Sequence, residues 1–181
     1  MRAPTGTLLR AGLTAIVSLA LVAGCTDDPK PGTLKTPTAT PTSTTASPTP
    51  TTPEAQIEAA VRAYYAELTR GIQTSKADRL RPLVTKGCPC FNAVTTIEDN
   101  AAKGRRGPDA RVTLHSIRVH DLEGRVALAE VRYDVNAYPL VNEKGQVLSR
   151  IPARSDLVDL SVVQNSSGQW IVANVFDLGD A

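Results

Sequence analysis

The chain is poor in aromatic side chains, with one tryptophan, two phenylalanines and four tyrosines among its 181 residues. It holds only two histidines and three cysteines. A zinc site needs paired Cys or His at ligand spacing, and His115 and His120 lie far in sequence from Cys88 and Cys90. No metal and no cofactor is therefore expected. An excess of one charge is missing as well: 20 Lys plus Arg face 18 Asp plus Glu. The first 24 residues carry Arg2 and Arg10 and no acid, so the remainder is balanced. Such a surface gives no reason to expect nucleic acid or a strongly anionic partner. Long apolar runs are lacking too. The run from Leu13 to Ala23 is about half of the roughly 20 residues that cross a bilayer.

That run, preceded by basic residues and followed by small ones, has the layout of a secretory signal over residues 1–24. Its end, Leu21-Val22-Ala23-Gly24-Cys25, resembles the lipobox of bacterial lipoproteins. The resemblance implies a diacylglyceryl group on the Cys25 thiol and cleavage just before it. Two acyl chains anchor stably where one is marginal. The expected location is then the outer face of the cytoplasmic membrane. The alternative is an ordinary signal peptide with a cysteine near its cleavage site. On the lipobox reading Cys25 is the odd thiol, and Cys88 and Cys90 remain as an even pair.

Residues 25–53 change composition abruptly. From Thr26 the segment holds seven of the chain's 13 prolines, mostly alternating with threonine, and Leu34 is its one large apolar residue. It cannot bury enough surface to offset the entropy of ordering. A tether is expected, reaching about 30 Å as a coil and about 85 Å as polyproline II. Thr/Pro composition in an exported chain also permits O-glycosylation.

Residues 54–181 are long enough for one hydrophobic core. Thr52 and Pro53 read as an N-cap and first-turn proline. Ile57, Val61, Tyr64, Tyr65, Leu68 and Ile72 then recur at helical spacing. Ser75 with Asp78 looks like a capping box opening a short second helix that carries Leu80 and meets Pro82. A third helix is expected from near Pro89 to Gly104, with Phe91, Val94, Ile97 and Ala101 as its stripe. The second half reads as strand: residues 110–120 and 125–138 around the turn Asp121–Gly124, then 156–164 and 169–176 around Asn165–Gly168. Residues 139–155 read as a protruding arm with a turn at Glu143-Lys144-Gly145. The expectation is an α+β fold, with three N-terminal helices packed on a curved four-stranded antiparallel sheet.

This order resembles the nuclear-transport-factor-2-like fold, also called cystatin-like, in which a curved sheet wraps a long first helix into a cone. The resemblance covers residues 54 to 179 and includes the closing Gly168-Gln169-Trp170-Ile171-Val172 stretch. A closer likeness is to uncharacterised actinobacterial lipoproteins, carried by Cys25, the paired Tyr64-Tyr65 and Cys88-Pro89-Cys90. That family label implies no activity. The cone implies a pocket between sheet and helices, for which Tyr64, Tyr65, His115, Tyr133 and Trp170 are the candidate lining residues. It also implies that two copies can pair through the sheet.

In an oxidising location the Cys88 and Cys90 thiols are expected to be bonded to each other. So small a loop adds about 1.6 kcal/mol by chain entropy and mainly fixes the entry of the third helix. A redox pair, or free thiols, are the alternatives. An acid–base site would need a carboxylate base and a donor aimed at a developing oxyanion. Asp156 and Asp159 are available beside the tyrosines, but no spacing motif joins them, and His115 and His120 would face opposite sides of a regular strand. No catalytic residue is assigned. Two functions follow: a non-catalytic envelope lipoprotein whose domain binds a partner protein or small apolar molecule, or an enzyme of the polyketide-cyclase or ketosteroid-isomerase kind.

Overall fold

The computed structural model describes residues 50 to 180. The expected signal peptide, Cys25 and most of the tether lie outside these residues. Helix α1 runs from Pro53 to Thr74, and its first turn follows the sequence closely: the Thr52 hydroxyl accepts the Ala55 N–H, with proline at the first helical position. Its buried face is Ile57, Val61, Tyr64 and Tyr65. Helix α2 runs from Phe91 to Ala102 and buries Val94 and Ile97.

Between them the expected second helix is absent. Ser75 closes α1 in the left-handed conformation, at φ 55°, instead of opening a new helix. Its hydroxyl donates to the Arg105 carbonyl, and Asp78 pairs with Arg70 at 3.1 Å. Both halves of the supposed capping box are thus engaged elsewhere. Pro82 lacks the N–H to extend a helix, and only a 3₁₀ turn, Arg81–Leu83, remains.

Six strands follow, not four: β1 Val112–Glu123, β2 Val126–Val135, β3 Tyr138–Val141, β4 Val147–Ile151, β5 Arg154–Gln164 and β6 Trp170–Asp180. Four of them form the expected antiparallel sheet in the order β1-β2-β5-β6. The other two, β3 and β4, pair with each other as a separate hairpin. This is the protruding arm, now seen to be a sheet of its own. It turns around Asn142, whose side chain accepts from the Lys144 and Gln146 backbone N–H groups. The arm is pinned to the body by a two-hydrogen-bond bridge between Arg106 and Val141, at 3.0 and 2.8 Å.

One face of the large sheet carries Ala127, Ala129, Val131, Val158, Leu160, Val162 and Val172, and these bury against Ile57 and Val61 of α1. The opposite face is wet. A bulge between Leu114 and Ser116 corrects the expectation for the histidines. The extra residue resets the alternation, so both histidines share the wet face. His115 meets Asp134 at 2.7 Å, and His120 bridges Asp121 at 2.9 Å and Asp159 at 3.1 Å.

His120 is held above its ordinary pKa of 6.5, first by its hydrogen bond to Asp121 and then by Asp159. A raised folded-state pKa adds stability below the unfolded value and loses it as pH climbs through the folded value. We expect the His120→Gln variant to lose less stability than the parent between pH 6 and pH 8. Urea midpoints compared at the two pH values check this; identical shifts in both proteins would refute it.

Candidate binding cavity

A cavity of ≈ 540 Å³ opens between the helices, the buried face of the sheet and the arm. Every tyrosine in the chain lines it: Tyr64 and Tyr65 from α1, Tyr133 from β2 and Tyr138 from β3. Two adjacent helical residues project about 100° apart, so both can be buried only where the helix is covered on two sides. The sheet and α2 provide that cover, leaving Tyr64 and Tyr65 at 5% and 4% exposure. The Tyr64 and Tyr65 rings meet edge to face at 5.0 Å, and Tyr65 and Tyr133 meet at 4.8 Å. These are favourable aromatic geometries.

The remaining wall is mostly aliphatic. Leu68 and Ile72 come from α1, Ala93 and Ile97 from α2, and Leu140 and Ile151 from the arm. Pro89 and Cys90 close the end near the start of α2. Cys88 and Cys90 lie at disulfide distance with Cα atoms 5.2 Å apart, and both are buried. The turn they make is continued by Phe91 N–H to Cys88 C=O at 2.9 Å and Asn92 N–H to Pro89 C=O at 3.1 Å. The pair therefore sets both the entry of α2 and one end of the cavity.

Burial governs the phenols. Tyr64 and Tyr133 are each pushed up to about 12, first by desolvation, then by Tyr133 and by Asp156 respectively. Tyr65 is raised further by the same cause, and Tyr138 is raised by its partial burial. All four remain neutral hydroxyls at physiological pH, able to donate. Among the described residues, the one side-chain nitrogen or oxygen both sealed from solvent and unpartnered is Trp170 Nε1. No tyrosine hydroxyl is in that position: Tyr65 is partnered by Tyr133, and Tyr133 by Asp156.

Charge is confined to the mouth. Arg154 Nε donates to Asp156 Oδ2 at 2.8 Å, and the Arg154 side chain is 63% exposed. Asp177 also lines the mouth, is exposed, and accepts the Gly179 N–H at 2.9 Å. Tyr133 faces the Arg154–Asp156 pair across the strand register, in which Tyr133 stands opposite Asp156.

Of the five pocket residues expected from the sequence, the fold brings together Tyr64, Tyr65 and Tyr133. His115 is outside the cavity, on the wet face with Asp134 and Ser155, sharing the outward parity of Thr113. Trp170 is buried but lines a separate shallow groove with Ala59, Ala60 and Ala63 of α1. Asp159 pairs with His120 on the wet face. Sequence reasoning missed Tyr138 and Arg154. Both sit at the roots of the arm, and the apolar Tyr138-Pro139-Leu140-Val141 run was the one signal that the arm packs inward at its base. Among the described residues, no group of three or more His, Cys, Asp or Glu could hold a metal ion.

No family model matches the chain, and no curated protein matches it. Solved structures resemble it in fold. The intermembrane space region of the chloroplast protein ARC6 is 16% identical over 71% of this chain and 99% of that one, with a TM-score of 0.51. An uncharacterised protein with a cystatin-like fold from Caulobacter vibrioides is 16% identical over 70% and 89%, with a TM-score of 0.47. An NTF-2 like protein of unknown function from Shewanella oneidensis MR-1 is 11% identical over 68% and 97%, with a TM-score of 0.45. The neighbours thus include a cystatin-like and an NTF-2 like protein. At these identities the likeness concerns fold alone.

Proposed function

We propose that the domain is a non-catalytic binding module of the cell envelope that holds a small, mainly apolar molecule. The observation that carries the reading is the cavity: mostly aliphatic and phenolic, with Thr96 and Asn100 as its uncharged polar residues and Arg154 and Asp177 as its charged ones, and within the usual size range of small-molecule sites. We place it outside the cytoplasmic membrane, anchored through a diacylglyceryl group on Cys25, a reading supported by the resemblance of Leu21-Val22-Ala23-Gly24-Cys25 to a lipobox and by the Thr/Pro-rich stretch after it. A homodimer, or an envelope protein partner, would use the wet face of the sheet. There Phe176 and Leu178 of β6 are 47% and 49% exposed.

The cyclase or isomerase reading would use a mouth carboxylate as base and Tyr133 as donor. Asp156 is tied to Arg154, and Asp177 stands in solvent, which favours binding over proton transfer. In an actinobacterial host fed labelled palmitate, the parent chain should carry label and sediment with membranes, and the Cys25→Ser variant should do neither. Label retained in the variant would remove the anchor from the proposal. Native mass spectrometry of the variant then tests the cavity and the dimer together, through a small adduct lost on denaturation and through the mass of the assembly.

A further inference from the structure

We propose that the arm and the loop after α2 form a second functional surface, one that docks the domain onto an anionic lipid bilayer. This surface lies outside the cavity and does not depend on what the cavity holds.

Charge is balanced over the domain in total but not in place. Two shallow grooves beside the turn of the arm share Gly104 and Glu143. Lys76, Lys103, Arg105, Arg106 and Lys144 line them, against the single carboxylate of Glu143. Among the described residues, none of these five cations is in an ion pair. By contrast, Arg62, Arg70, Arg79, Arg81, Arg118 and Arg154 each meet a carboxylate. The negative end of the α2 dipole lies here too, but it amounts to only about half a charge. Asp99, on the last turn of α2, adds one acid and still leaves the cations in excess.

The loop keeps its shape through its backbone. Arg105 N–H donates to Asn100 C=O at 2.8 Å, the Ser75 hydroxyl donates to Arg105 C=O, and Arg106 bridges Val141 in both directions. The guanidinium groups are therefore left for contacts outside the chain.

What selects a bilayer over a dissolved polyanion is the company these cations keep. Arg106 pairs with Val141, and Val141 pairs with Val147. Partners across antiparallel strands point to one face, so Arg106 and Val147 share a face at two strand spacings, roughly 10 Å. Val147 and its neighbour Leu148 are 55% and 49% exposed. Aliphatic side chains held in water beside lysine and arginine fit an interfacial membrane contact. The apolar groups enter the acyl boundary while the cations stay with the headgroup phosphates. A polyanion in solution would gain from the charges alone.

A fluorescent reporter of that contact can be placed in the arm, because the chain's one tryptophan, Trp170, is buried. The full chain carrying Leu148→Trp is bound to phosphatidylcholine vesicles with brominated acyl chains, with or without phosphatidylglycerol. Bromine quenches only an indole that reaches the acyl boundary, so the reading is local whether the chain is tied through Cys25 or merely mixed with the vesicles. Quenching should appear with phosphatidylglycerol, be weak without it, and fade as salt is raised. Each cation near the surface contributes about fivefold, so adding Arg105→Gln and Arg106→Gln should lower the ratio of docked to undocked arm by roughly 20-fold. Arg105→Lys with Arg106→Lys should leave that ratio nearly unchanged, which a purely structural role for the two arginines would not predict. Equal quenching with and without phosphatidylglycerol overturns the role of charge. Absence of quenching from a folded chain overturns the docking surface, and retention of that chain on immobilised polyphosphate would assign the cations to a soluble polyanion instead. The cavity takes no part in these readings, so the binding module stands or falls separately.

Discussion

Replacing Leu160 with alanine is expected to destabilise the domain by about 2–5 kcal/mol, the range for deleting a buried leucine side chain where the surroundings relax only partly. Leu160 is fully buried in β5, one of the two central strands of the large sheet. Its neighbours in the register are Ala129 on β2 and Val175 on β6. Both are smaller than leucine, and the main chain on either side is held by ladder hydrogen bonds, so little can move in to fill the gap. Urea unfolding should show a lower midpoint with an unchanged slope. A loss below about 1 kcal/mol would mean that α1 settles onto the sheet, and that the core is less tightly packed than its burial suggests.

The second large effect is expected at Gly107. A Cβ placed there would lie 2.6 Å from Tyr138 Cε2, 2.8 Å from Tyr138 Cδ2 and 3.0 Å from Ile72 Cγ2. The backbone has little freedom to retreat, since the Gly107 N–H donates to Ile72 C=O at 3.0 Å and the preceding residue bridges Val141. The ring of Tyr138 must yield, and that ring is part of the cavity wall. Gly107→Ala should therefore cost about 1–3 kcal/mol of stability by overpacking. Combining it with Tyr138→Leu should restore most of the lost stability, the signature of two residues in direct contact. If the double variant is merely additive, the clash is not what Gly107 avoids.

Those two sites mark what the sequence could and could not disclose. The core was legible: Ile57, Val61 and the alternation through Val131, Tyr133 and Val135 carry their own periodicity, and Thr52-Pro53 announces the helix start. The supposed second helix misled because Ser75 and Asp78 have the right spacing for a cap, yet their side chains bond to Arg105 and Arg70 across the fold. No local pattern encodes those partners. The histidine pair misled for a related reason: strand parity assigns side chains to faces only while the register is unbroken, and the bulge after Leu114 puts His120 on the same face as His115. Tyr138 was hidden because an exposed arm and a cavity wall use the same short strand, distinguished only by what lies beneath.

The placement of the arm has a consequence for how such a domain can diversify. The arm leaves β2 after Val135 and returns at Arg154, and those two residues are partners across adjacent strands of the large sheet. Its two ends are thus only about one strand spacing apart, roughly 4.8 Å. A segment inserted between neighbouring points of a finished scaffold behaves as a cassette. Lengthening it adds little closure entropy, and exchanging it leaves every β2–β5 pair from Val126–Val163 to Val135–Arg154 in place. Yet this same detour supplies Tyr138, Leu140 and Ile151 to the cavity. The arm's share of the cavity wall can therefore change while the sheet pairing that frames the rest of it stays as it is.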